Sequence, residues 1–340
     1  MIHLAHISPN HISEIVSQRP LETHIGEQCQ WLTELNPAAL SQAKQQGARF
    51  ALLGINEDIG PRANLGRGGS GPGFLACLKQ LLNWQANDFF QAEQLLIVGE
   101  INLSIPVGSA EGLRRQLPLL DETVSHVTQQ LLRAGLEPII IGGGHNNAFG
   151  LIDALYQVTS LPVTAVNLDP HSDFRPTEGR HSGNGFSYAA QSGALGQYQI
   201  LGLHEHKNSH ASLQQLAQFN GRFHSYQAIW QRRQLSLTDA IADIIEHLHQ
   251  GAPLALELDV DAINDMPSSA MTCAGVPLAD ACYYLYRFGR ECQPRYCHLA
   301  EAAPSCHPAG FEAGMRHSGQ ALAELVMSYI QGRLSHLLPR

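Results

Sequence analysis

The sequence predicts an α/β protein built on a largely parallel sheet. Three observations carry that expectation: short apolar runs recur along the chain, each closes on Gly, Asn or Asp, and stretches of helical periodicity follow them. At 340 residues the chain is long for an average domain, but large α/β sheets of this size fold around one core.

Taken in order, the first 45 residues form no clear strand and read as a helical extension ahead of one domain spanning 46–340. Strands are expected at RFALLGI (49–55), LLIVG (95–99), PIIIGGG (138–144), PVTAVNLD (162–169), YQILGLH (198–204), PLALELDVD (253–261) and RYCHLAE (295–301). Between the second and third, Asp121 is placed to cap a helix whose apolar face includes Val124, Val127 and Leu131, and Gly135 to end it in the left-handed conformation. Ile241, Ile244, Ile245 and Leu248 mark a further helix by their spacing, and Leu322, Leu325, Val326, Tyr329 and Ile330 mark the last. These are packing faces. No internal repeat or linker interrupts them.

Composition narrows the function. A net charge of −9 with 21 scattered basic residues excludes a nucleic-acid partner and favours a small-molecule substrate. No run approaches the ~20 apolar residues that span a bilayer, and the first residues lack the basic start and apolar core of a signal peptide, so no membrane partner and a cytoplasmic location are expected. Seven Cys, an odd number, fit reduced core thiols. Cys292, Cys297, His298, Cys306 and His307 lie close together, but their spacing is not that of a zinc site. A homo-oligomer is compatible with the sequence.

The ionisable residues collect where ligands bind in parallel sheets, at the carboxyl ends of strands. One strand leads to His145, the next to Asp169, His171 and Asp173, and a third to Asp259 and Asp261. In an extended segment residues i, i+2 and i+4 project from the same side, so Asp169, His171 and Asp173 converge. Four carboxylates and two imidazoles form a hard, oxygen-rich set suited to two divalent ions such as Mn2+, ~3.5 to 4 Å apart and sharing carboxylates. Such a site generates hydroxide near neutral pH. Clustered carboxylates without a cation would cost several kcal/mol each, or be forced to protonate, so the cluster itself argues for metal.

GGGH, NLDPHSD and LDVD, in that order at three strand ends, resemble the ureohydrolase superfamily of arginases, agmatinases and formimidoylglutamases. The likeness extends upstream to DIGPRANLGRGGSGPG (58–73) and downstream to Glu301 in HLAEAAP, covering the chain from about residue 51 onward. It implies a three-layer αβα fold and a binuclear manganese centre that hydrolyses a C–N bond. By the same resemblance His145, Asp169, Asp173 and Asp259 hold one Mn2+, and Asp169, His171, Asp259 and Asp261 the other. Glu301 matches the acidic residue that faces the cationic C–N group.

Within that superfamily three features point to formimidoylglutamase: Gly144 in GGGH, Arg175 two residues past Asp173, and HSGNGFS (181–187). The expected reaction is N-formimidoyl-L-glutamate and water to L-glutamate and formamide, as in histidine degradation. A substrate with two carboxylates suits an added guanidinium, so Arg175, Ser182 and Asn184 are candidate substrate contacts, although Arg175 could instead pair with Glu178. Arg62 and Arg67 in the glycine-rich loop are placed to hold the sheet edge or another subunit. Pro170, the Ala-Ala pair after Glu301, and Ser182 at the apparent proton-shuttle position depart from the family pattern, with His181 adjacent as a substitute shuttle. The same centre would serve another guanidino compound, as in arginase or agmatinase. A non-catalytic relative would keep the fold without needing six clustered ligands.

Overall fold

The computed structural model of the chain describes residues 2–103 and 108–335. Among the described residues ten strands form one sheet: β1 (Ile2–Ala5), β2 (Gln30–Trp31), β3 (Phe50–Asn56), β4 (Leu95–Leu103), β5 (Glu137–Ile141), β6 (Val163–Leu168), β7 (Leu195–Leu203), β8 (Arg222–Ser225), β9 (Leu254–Asp259) and β10 (Tyr296–Ala300). Their order is β1-β4-β3-β5-β10-β9-β6-β7-β8, with β2 also on β4, and every pair but β1–β4 is parallel. All seven expected strands are present.

The sheet is buried on both faces, which is why its strands read as continuous apolar runs. Phe50, Leu52, Ile139 and Ile141 point into one core with the helices Gly73–Leu81, Leu278–Glu291 and Phe311–Leu334. Ala51, Leu53, Ile55 and Ile140 point into the other, against the helices Ala110–Arg133 and Asn147–Thr159. The fold is therefore helix, sheet, helix in three layers. Gly135 (φ +72°) is left-handed just beyond Ala110–Arg133.

Three local expectations change. The first 45 residues do contain helices, but they also supply β1, antiparallel to β4 at the sheet edge, and the two-residue β2. Strands this short carry too little periodicity to be read without their partner. The helix expected to start at Asp121 begins a dozen residues earlier, where the Ser109 side chain accepts from the Gly112 N–H; Asp121 is buried in its middle. β8, with two exposed residues, had no apolar run to announce it.

The topology positions the site. From β3 to β5 the chain builds one side of the sheet, from β6 to β8 the other, and β10 and β9 fill the space between them. Ligands bind in open α/β sheets at such a switch point, outside the carboxyl ends of the strands. Here four neighbouring strands, β5, β10, β9 and β6, end side by side.

Candidate metal centre

His145 is delivered by a turn that only glycine can make. Gly142 (φ +91°) and Gly143 (φ +67°) are left-handed after β5, and a Cβ on Gly143 would lie 2.5 Å from Glu57 Oε1. A Cβ on Gly144 would meet Pro61 Cδ at 2.3 Å, so any side chain there would displace the 58–73 loop. Glu57 ties that loop to this one. Its Oε1 accepts from Gly144 N–H (2.6 Å), Asn147 Nδ2 (2.7 Å) and Asn146 Nδ2 (3.2 Å), and its Oε2 from the N–H groups of Ile59 (2.7 Å) and Gly60 (3.3 Å).

His145 is fully buried, and its Nδ1 faces three carboxylate oxygens: Asp173 Oδ2 at 3.1 Å, Asp169 Oδ2 at 3.2 Å and Asp259 Oδ2 at 3.3 Å. The four ligand atoms lie within 4.8 Å of one another. Among the described residues neither ring nitrogen has a hydrogen-bond partner, and at Nδ1 three carboxylate oxygens crowd together, as a cation site requires. His171 Nδ1 lies beside them, 3.6 Å from Asp169 Oδ1 and 3.9 Å from Asp261 Oδ2, while the buried Asp261 Oδ1 has no partner. The residues present fit a divalent cation at His145, Asp169, Asp173 and Asp259, with His171 and Asp261 beside them as donors of the same kind.

Backbone geometry braces this set. Asp169 Oδ1 accepts from the His171 N–H, and Asp259 Oδ1 from the Asp261 N–H, each at 2.7 Å. Asp173 (φ +44°) and Glu301 (φ +69°) lie in the left-handed region, which Asp tolerates better than Glu. Glu301 Oε1 accepts from the His145 N–H (2.9 Å) and Oε2 from Ser269 Oγ (3.4 Å).

Electrostatics follow from burial and crowding. Burial and the neighbouring Asp261 and Asp169 push the Asp259 carboxyl well above its usual range, and burial with Asp259 and Asp261 does the same to Glu301. Asp173 and Asp261 are also raised by burial. Burial opposes it, yet His145 and His171 hold Asp169 down at about 2. Although burial lowers them, Asp169 and its neighbours raise both imidazoles, His171 to about 9.

Groups with raised folded values bind protons more tightly in the folded site than in the unfolded chain. Their stabilisation is present at low pH and is lost as pH rises through those values. Asp169 acts oppositely, but only below the usual carboxylate range. A divalent cation displaces the protons and replaces their effect. The gain in Tm on adding excess Mn2+ should therefore grow from about pH 5 to about pH 8. A gain that shrinks over that range would contradict this charge balance.

Above the carboxylates lies a cavity of about 380 Å³. His171, Asp173, Asp259, Asp261 and Glu301 form its floor, and Arg175, Ser182 and Lys207 are on its wall. Arg175 does both things the sequence allowed: it lines the cavity, donating to Asn64 Oδ1, and lies 3.8 Å from Glu178 Oε1. Ser182 Oγ accepts from Asn64 Nδ2 at 3.4 Å.

Two expected contacts are not in the cavity. His181 is fully buried; its Nδ1 accepts from the Gly183 N–H (3.1 Å) and its Nε2 lies 3.2 Å from Glu178 Oε1, so the ring caps its own turn. Burial lowers it to about 4, which leaves it neutral. Asn184 spends its amide on the backbone of Pro176 and Gly179, on the His181 N–H and on Arg180. The local turn explains both: Ser182–Asn184 form one 3-10 turn capped by His181, and positions three apart share a face, so His181 and Asn184 turn inward together while Ser182 and Gly183 line the cavity.

Arg62 pairs with Asp58 at 3.1 Å within its own loop. The Cys and His residues near 300 do not cluster with one another among the described residues, although His298 groups with Glu257 and His145. Cys297 sits in the core and Cys306 contacts the Gly68 carbonyl, whereas His298 turns to Glu257. Sequence reasoning missed the roles of Glu57, Glu257, Lys207 and the buried pair of Asp121 and Arg180. Only Glu257 had a signal, standing two residues before Asp259 on the same strand face.

Comparison with known proteins bears on the family and the fold. The family model described as Arginase family matches residues 48–330. A formimidoylglutamase of Streptococcus pyogenes serotype M3 is 28% identical over 253 residues, covering 72% of this chain and 73% of the relative. A Trypanosoma cruzi formiminoglutamase structure with two Mn2+ superposes with a TM-score of 0.71 at 18% identity, covering 91% of this chain and 98% of that one. The formimidoylglutamase of Bacillus subtilis subsp. subtilis str. 168 gives 0.73 at 15% identity, covering 95% of each chain.

Proposed function

The chain belongs to the arginase family, and on that premise we propose that it is a manganese-dependent amidino hydrolase that converts N-formimidoyl-L-glutamate and water to L-glutamate and formamide. The observation that carries the reading is one cavity whose floor is acidic and convergent and whose wall bears cations. His145, Asp169, Asp173 and Asp259 hold one Mn2+; Asp169, His171, Asp259 and Asp261 hold the second. When bound, the ion pair supplies Lewis acidity and a hydroxide from water near neutral pH.

The chain's residues do the rest. Glu301, fixed by the His145 N–H and Ser269, presents a carboxylate to the amidinium and holds its carbon over the metals. His181 and Asn184 shape the loop that carries Ser182. The substrate's two carboxylates face Arg175 and Lys207, and Lys207 Nζ has no ion-pair or hydrogen-bond partner among the described residues. These two cations attract a dicarboxylate and repel agmatine.

The formimidoylglutamase relatives and the glycine at position 144 support the substrate choice. Steady-state assays of wild type, Arg175→Ala and Lys207→Ala on formimidoylglutamate, arginine, agmatine and guanidinobutyrate test it. A charge-assisted contact is worth ~1.5–3 kcal/mol, less at an exposed wall, so KM for formimidoylglutamate should rise roughly tenfold in each variant with kcat nearly unchanged. Wild type that ignores formimidoylglutamate and cleaves agmatine or arginine would replace this reading with a guanidino hydrolase.

A further inference from the structure

Beneath the metal ligands, on the side away from the cavity, a second polar group is sealed in the sheet. Glu257 of β9 is fully buried and points the same way as Asp259, two residues on. Its Oε1 accepts from the Tyr296 hydroxyl at 2.6 Å and its Oε2 from His298 Nδ1 at 2.7 Å, both residues lying on the adjacent β10. The same Oε2 lies 3.4 Å from His145 Nε2; the contact is at ion-pair range and is not a formed hydrogen bond, and no other carboxylate among the described residues pairs with that nitrogen.

We propose that Glu257 is a positioning residue for the metal centre: it takes the Nε2 hydrogen of His145 and thereby leaves the Nδ1 lone pair facing the metal. The inference rests on the metal-centre reading above. A neutral imidazole carries one N–H and one lone pair, and the environment decides which nitrogen has which. At Nδ1 three carboxylate oxygens wait within 3.3 Å, all able to accept a hydrogen. Without an acceptor on the far side the N–H would settle there and block the ligand position, leaving Nε2 bare.

Glu257 reverses that preference. A carboxylate opposite the metal is the usual partner of a metal-bound histidine, fixing ring orientation as well as tautomer. Tyr296 and His298 hold Glu257 from the neighbouring strand, so the carboxylate is itself fixed. His145 belongs to only one of the two proposed ligand sets. The effect of Glu257 is therefore confined to one ion.

Manganese titration by calorimetry, with electron paramagnetic resonance of the loaded protein, tests this in wild type, Glu257→Gln and Glu257→Met. Wild type should bind two ions per chain with a spin-coupled spectrum. Glu257→Gln keeps shape and one acceptor but loses the charge, and should weaken one of the two ions roughly tenfold; Glu257→Met should weaken the same ion about a hundredfold, leaving the spectrum of an isolated Mn2+. If Glu257→Met does not fold, Glu257→Gln decides alone. Two ions at wild-type affinity in folded Glu257→Gln, or equal weakening of both, would overturn the inference while leaving the metal centre standing. Wild type that binds no manganese would overturn the metal-centre reading and this inference together.

Discussion

Replacing Asp259 with alanine should abolish turnover while leaving the fold intact. Asp259 is, with Asp169, one of the two carboxylates common to both proposed ligand sets. Its Oδ2 lies 3.3 Å from His145 Nδ1, and its Oδ1 is fixed by the Asp261 N–H. Removing it takes a ligand from each ion at once, so the loss should exceed the roughly 10- to 100-fold typical of a supporting outer partner. Stability should move the other way. Burial and the neighbouring aspartates disfavour the charged form of Asp259, so the metal-free variant should unfold at the same temperature as wild type or higher. Measured together, activity and metal-free Tm separate a lost ligand from a damaged fold. A variant that keeps wild-type turnover would remove Asp259 from the centre.

Arg180→Ala should produce the largest loss of stability. Its guanidinium is buried, makes two 2.9 Å bonds to Asp121, donates to the Asn146 carbonyl at 2.9 Å, and stacks 4.8 Å over Phe149 and 5.1 Å over Tyr188. Truncation strands Asp121 as an unpaired carboxyl inside the helix Ala110–Arg133, and breaking a buried pair from one side costs about 3–5 kcal/mol. The Asn146 carbonyl, next to His145, also loses its donor, so metal retention should weaken in the folded fraction. Denaturant unfolding monitored by circular dichroism measures the first effect. A cost below about 1 kcal/mol would mean that water replaces the guanidinium.

Sequence periodicity reached the buried strands because burial on both faces leaves each as a continuous apolar run. It missed β1, β2 and β8, whose few residues become strands only beside a partner. The ligands were legible for a related reason: β6 and β9 carry their carboxylates at alternate positions immediately after the run, where nothing but a cation explains the density of charge. Asp121 could not be read, since a buried aspartate in a helix looks like a cap until Arg180 arrives from 59 residues away. The same holds for Glu57, 87 residues from the Gly144 N–H it accepts. His181 and Asn184 lie on the inward face of a 3-10 turn, a period that the sequence there does not announce. Lys207, at the mouth, comes from a loop whose position only the sheet order fixes.

Glutamate release from N-formimidoyl-L-glutamate, followed while manganese is titrated into chelator-treated protein, decides whether the metal centre performs this reaction. There should be no release without metal, full activity as the second ion per chain is bound, and slower or absent cleavage of agmatine and arginine under the same conditions. Turnover that survives complete metal removal, or a protein holding two manganese ions that leaves formimidoylglutamate untouched, would contradict the proposed function.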